Sequence, residues 1–146
     1  MKTLIITSLI ALGISAADAS TTTAEKIYEK TESERVKSES SYILIRDSKD
    51  GSFSTQPGTK AIEDAELINR AVSKAIKEAR EDALEEAMSE CKEDFKNCTE
   101  TQTRVVSTSI GDIDTDMKKF NQDNAIEVNK EIKVKAKVEV SVTGRN

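Results

Sequence analysis

The chain has no histidine and no tryptophan among its 146 residues. Without histidine it lacks the commonest general base and the commonest neutral metal ligand. Aromatic residues make up only 3 % of the chain, so any core must be aliphatic. There is one proline, Pro57, and there are two cysteines, Cys91 and Cys98. A structural zinc centre takes about four ligands, and a cysteine pair without histidine supplies half of one. No cofactor motif occurs, and no cofactor is expected. No stretch approaches the roughly 18 consecutive apolar residues of a membrane-spanning helix, so no span is expected in the mature chain.

What is present starts at the amino terminus. Lys2 precedes an apolar run, Leu4–Ile14, and Ala17 and Ala19 follow in a small-x-small arrangement. That order reads as a signal peptide over residues 1–19, with a mature chain from Ser20. A secreted or periplasmic protein is the expectation that follows. In such a compartment an even cysteine pair is first read as a disulfide, so Cys91 and Cys98 are the site residues singled out. Their spacing differs from the C-x-x-C of redox motifs. The net charge is −5, and it stays there when Lys2 and Asp18 leave together. An acidic balance argues against nucleic acid as the partner.

Residues 20–40 read as a polar arm whose later part either extends the next strand or forms a short helix. Residues 41–146 read as a single α+β domain. Ser41–Asp47 is strand-like, Ser48-Lys49-Asp50-Gly51 has turn chemistry, and the SFSTQ segment after it can return as a second strand. Thr59–Asn97 predicts one long helix with Thr59 as N-cap. Its apolar stripe runs through Ala61, Ala65, Ile68, Val72, Ala75, Ala79, Ala83, Ala87, Cys91 and Phe95. In a continuous helix Cys91 and Cys98 would sit about 10 Å apart. A disulfide needs about 4.4–6.8 Å. The helix must therefore stop between them, with Asn97 suited to the reversal. Thr101–Ile110 is β-prone, and Gly111–Asn124 reads as an acidic loop. From Ile126 to Val142 the even positions are apolar and the odd ones polar, with Lys130 as the exception. Strict period two marks a strand with one buried face. The strand is long enough that a bend or a change of partner near Lys130 is expected. The fold class is α+β: an elongated domain with one long helix packed along an antiparallel sheet of about four strands, in the order β-β-α-β-β.

The remaining motifs have bland readings. Asp112, Asp114 and Asp116 resemble the opening of a calcium loop, but Met117 stands where glycine is needed and Asp123 where glutamate is needed. An ordinary acidic loop without calcium is the expectation. Lys133, Lys135 and Lys137 share one strand face at spacings of about 6.7 Å, which suits phosphates. Glu127, Glu131 and Glu139 share that face, so it reads as a mixed, solvated surface. Asn97-Cys98-Thr99 matches the glycosylation triplet. Glu66 and Arg70, like Lys74 and Glu78 or Lys77 and Glu81, are helix-surface pairs. The alanine-rich segment Ala61–Ala87 followed by a period-two strand resembles small periplasmic α+β families such as the SIMPL domain. That is a likeness of architecture and implies no site residues. Composition thus predicts an exported, non-catalytic binding or protein-interaction domain, not an enzyme. Its expected partner is a protein or a second copy through the sheet, and no nucleic acid. The alternative is a cell-envelope enzyme or enzyme inhibitor using carboxylate or loop residues.

Overall fold

Period-two alternation over the last twenty residues forms the central strand of the protein. The computed structural model describes residues 25–119 and 124–146. The signal-peptide reading over residues 1–19 falls outside them, as do Ser20–Ala24, Phe120 and Asp123. The elements in chain order are β1 (Glu25–Arg46), β2 (Phe53–Thr55), α1 (Asp64–Asp94), β3 (Asn97–Ile110), β4 (Asp114–Lys119) and β5 (Ala125–Arg145). The sheet is antiparallel, with the path β2-β1-β5-β3 and with β4 also paired to β5. The α+β class and, among the described residues, one helix are as the sequence implies, with β4 as one strand more. The acidic segment read as loop contains it.

The register explains the alternation. Residues of β1 and β5 that oppose each other run from Glu25↔Arg145 to Ile45↔Ala125, so odd faces odd and even faces even. Even positions Val128, Ile132, Val134, Ala136, Val138, Val140 and Val142 are buried under α1. Lys130 also points to that side, where its ammonium donates to the Asp64 carboxylate at 2.7 Å in the first turn of the helix. This bond raises its pKa. The partner on this edge of β5 changes from β3 to β4 between Val134 and Glu131, beside Lys130.

β1 begins at Glu25, inside the segment whose composition reads as an arm. Its covered positions include Lys30, Glu32 and Glu34 beside Tyr28 and Val36, so polar residues at an edge hide the strand pattern. The pairing with β5 specifies the strand.

The helix is shorter than Thr59–Asn97. It starts after Glu63, and Thr59 is not its cap: the Thr59 hydroxyl donates to the Gln56 carbonyl at 2.7 Å in the preceding turn. Asp64 and Glu66 place negative charge at the positive end of the helix dipole. The buried row is Leu67, Ala71, Ala75, Ala79, Ala83, Ala87 and Cys91, all at 0 % exposure. Ile68, Val72, Ile76, Leu84 and Met88 form a half-buried row beside it. The expected stripe crossed between these two rows. At 3.6 residues per turn, a row in steps of four drifts by about 40° per step. A right-handed sheet twist needs that drift if one helix is to stay in contact along its length. Alanine lets the helix axis approach the strands closely.

At the carboxyl end of α1 the Phe95 N–H donates to the Cys91 carbonyl at 2.8 Å, and the chain turns extended at Phe95. The reversal thus precedes Asn97, which already pairs with Arg145. Cys91 and Cys98 are bonded with their Cα atoms 6.1 Å apart. Gly144 opposes Cys98, and a Cβ there would lie 2.5 Å from the Phe95 ring and 2.7 Å from the Cys91 sulfur. Tyr28 packs edge-on to Phe95 and donates its hydroxyl to Asp94 at 2.6 Å. Burial, and then this bond, push the Tyr28 pKa up to about 12.

Candidate functional site

The odd face of the β1–β5 ribbon has no helix over it. Pairing places Arg35 opposite Lys135, Lys37 opposite Lys133, and Ser33 opposite Lys137. On the other side of β5, Ser109 opposes Lys135 and Ser107 opposes Lys137. The Gly111 N–H donates to the Lys133 carbonyl at 3.0 Å, and a Cβ at Gly111 would lie 3.1 Å from that oxygen. The result is a band of five cations edged by hydroxyls. At its centre is a shallow depression of about 390 Å³ lined by Arg35, Lys37, Lys133, Lys135, Ser109 and Gly111.

The band has distinct ends. Lys37 lies 3.2 Å from Glu39 and 3.3 Å from Glu131, and hydrogen bonds to Glu39 and then Glu131 raise its pKa. Lys133 reaches Glu131 at 4.0 Å. Glu131 is opposed by Glu39 on one side and Asp114 on the other, so carboxylates cross three strands in one row. At the opposite end Glu139 is neutralised by Arg104 at 2.8 Å. Between these ends Arg35, Lys135 and Lys137 make no ion pair among the described residues.

Charge on the helix side is arranged differently. Lys26 and Lys30 pair with Asp94 and Glu90 of α1. Glu32 hydrogen-bonds Glu86, and Glu34 hydrogen-bonds Asp82. Each of these bonds raises the pKa of its β1 carboxyl, with further negative charge from Asp82 and Glu34 at Glu32 and from Glu78 at Glu34. Much of the acidity behind the net charge of −5 is therefore on the face away from the band.

Like charges directly opposite each other in a sheet are unfavourable by some tenths of a kcal/mol. Two successive such pairs, Arg35/Lys135 and Lys37/Lys133, form a surface that an anion would relieve. Comparison with protein families matches residues 17–116 to the Rad52/22 family of double-strand break repair proteins. The chain belongs to the Rad52/22 family. No curated protein and no solved structure matches it. The matched segment holds Arg35, Lys37, Ser109 and Gly111; Lys133, Lys135 and Lys137 come from β5, beyond its end.

Membership in the Rad52/22 family corrects several expectations. An exported binding or interaction domain, and its alternative of an envelope enzyme or inhibitor, are overturned by a family that repairs double-strand breaks. The secreted or periplasmic location and the signal-peptide reading go with them, because the substrate of such repair is DNA. The exclusion of nucleic acid as a partner is corrected for the same reason. A net charge of −5 does not exclude a nucleic-acid partner, because the distribution of charge over the surface decides.

The structure scatters the other candidates. The Cys91–Cys98 bridge lies at the Gly144 end of β5, about 30 Å along the strand from Lys135. Asp114 and Asp116 are in β4 opposite Glu131 and Asn129, so they do not wrap a calcium loop. Among the described residues no cluster of three or more such side chains is placed to hold a metal ion. Of the helix-surface pairs, Glu66 and Arg70 meet at 3.4 Å. No helix among the described residues is long and apolar enough to cross a membrane. Arg35 and Lys37 were missed in the sequence, although Arg35–Val36–Lys37–Ser38 carries the polar-out alternation that could have found them.

Proposed function

We propose that this Rad52/22 family member binds the sugar-phosphate backbone of DNA on the open face of its sheet, and that it acts in repair by binding, not by catalysis. The observation that carries this reading is the pair of like-charge cross-strand contacts, Arg35/Lys135 and Lys37/Lys133, on a face that no helix covers. Phosphate contacts of this kind position a nucleic acid without reading its sequence. Binding should therefore be salt-sensitive and nearly indifferent to base composition.

The test is fluorescence anisotropy with a labelled oligonucleotide against salt. About three neutralised phosphates would give a log–log slope of roughly −2 to −3. The double variant Arg35→Glu/Lys135→Glu should lose at least about tenfold in affinity while its thermal melt holds. Lys77→Glu, on the exposed side of α1 and equal in charge change to either band substitution alone, serves as the control for the single variants. Equal losses from Lys77→Glu and either band substitution alone would show that only net charge matters and would remove the site.

A further inference from the structure

We propose that Glu131 is the positioning residue of the basic band: it holds Lys37 and Lys133 while the site is empty, and it stops a bound phosphate chain from running on along β5. This rests on the band being the phosphate site. Successive outward residues of a strand lie about 6.7 Å apart. A backbone following β5 meets Lys137, Lys135 and Lys133 in turn, and then Glu131. The two ends differ in kind. Past Lys137 stands Glu139, already neutralised by Arg104. Past Lys133 stands a row of three carboxylates, Glu39, Glu131 and Asp114, on adjacent strands. In that row Glu131 is the one that touches both cations of the nearest like-charge pair, at 3.3 Å and 4.0 Å. A phosphate at Lys37 and Lys133 must displace this carboxylate, and a further phosphate would face the row with no cation to receive it. The site therefore takes a short phosphate run that enters from the Glu139 side and ends at Glu131, or crosses the strands from Arg35 to Ser109.

The experiment uses the full chain and the same labelled oligonucleotide. Glu131→Gln keeps the shape and removes the charge. It should tighten binding about two- to fivefold, the size of one exposed ion pair. It should also steepen the salt slope by about one phosphate, because the run can extend. Glu25→Gln, an equal charge change at the far end of the same face beside Arg145, should do neither. A thermal melt checks folding, and Glu39→Gln, in the same row, gives the same test at smaller amplitude should Glu131→Gln fold poorly. If Glu131→Gln binds as the parent does, or gains no more than Glu25→Gln, the positioning role is wrong, while a loss in Arg35→Glu/Lys135→Glu would leave the band itself standing. Weaker binding by a fully folded Glu131→Gln also overturns the proposal. Absence of binding by the parent chain at low salt overturns the band, and this role with it.

Discussion

The two faces of the β1–β5 ribbon are built from the same strands, one residue out of phase, and they treat charge in opposite ways. On the covered face Lys26, Lys30 and Lys130 each reach a carboxylate of α1, and Glu32 and Glu34 share hydrogen bonds with Glu86 and Asp82. On the open face Arg35 lies opposite Lys135, with no carboxylate on either. A helix packed on a sheet desolvates its neighbours, so charges beneath it must find partners or hold protons. A face left to water tolerates unpaired cations at small cost, and that tolerance leaves room for a ligand.

The sharpest way to break this comparison is to put one carboxylate on each face at adjacent positions. Val138→Asp places it at a fully buried position in the aliphatic cluster that holds Ala79 and Ala83 and should cost about 4 kcal/mol or more, enough to unfold the domain. Lys137→Asp, one residue away, should change stability by no more than about 0.5 kcal/mol. Thermal melts decide it, and similar effects from the two would mean the ribbon has no covered and open side. Gly144→Ala tests the end of the covered face. Its methyl meets the Phe95 ring and the disulfide sulfur, neither free to retreat, and a loss of about 1–3 kcal/mol is expected in denaturant titration.

The smallest effect is a pH dependence. Glu32 and Glu34 have raised pKa values, so the folded protein holds their protons more tightly than the unfolded chain does. Their contribution to stability is then full below the ordinary glutamate value of about 4.3 and is lost as pH rises through the folded values. The melting temperature of the parent should fall relative to that of Glu32→Gln/Glu34→Gln across this rise. Parallel profiles would mean the carboxyl pairs across β1 and α1 do not form.

Much of the covered face was legible in the residues. Alternation from Ile126 to Val142 specifies a half-buried strand, and the uninterrupted alanine-rich segment specifies a helix, because both follow from local periodicity. The spacing of Cys91 and Cys98 requires the helix to stop between them if they are bonded, and it does. Local pattern was weaker where an edge strand carries charge on both faces: residues 25–40 have too few apolar positions to declare themselves. It also could not choose between the Leu67–Ala71 and Ile68–Val72 rows, since both fit a helix and only the twist of the sheet beneath selects steps of four.

The sequence by itself determined the periods: two for the strands, a little under four for the helix, and therefore an α+β chain with one apolar side to each element. It also set the lysines of β5 on a common face. Only the tertiary structure decided that Arg35 and Lys37 stand opposite Lys135 and Lys133, and that Glu39, Glu131 and Asp114 close the row beyond. Charges separated by about a hundred residues become neighbours through strand register. Register is fixed by burying the other face, to which those charges contribute nothing.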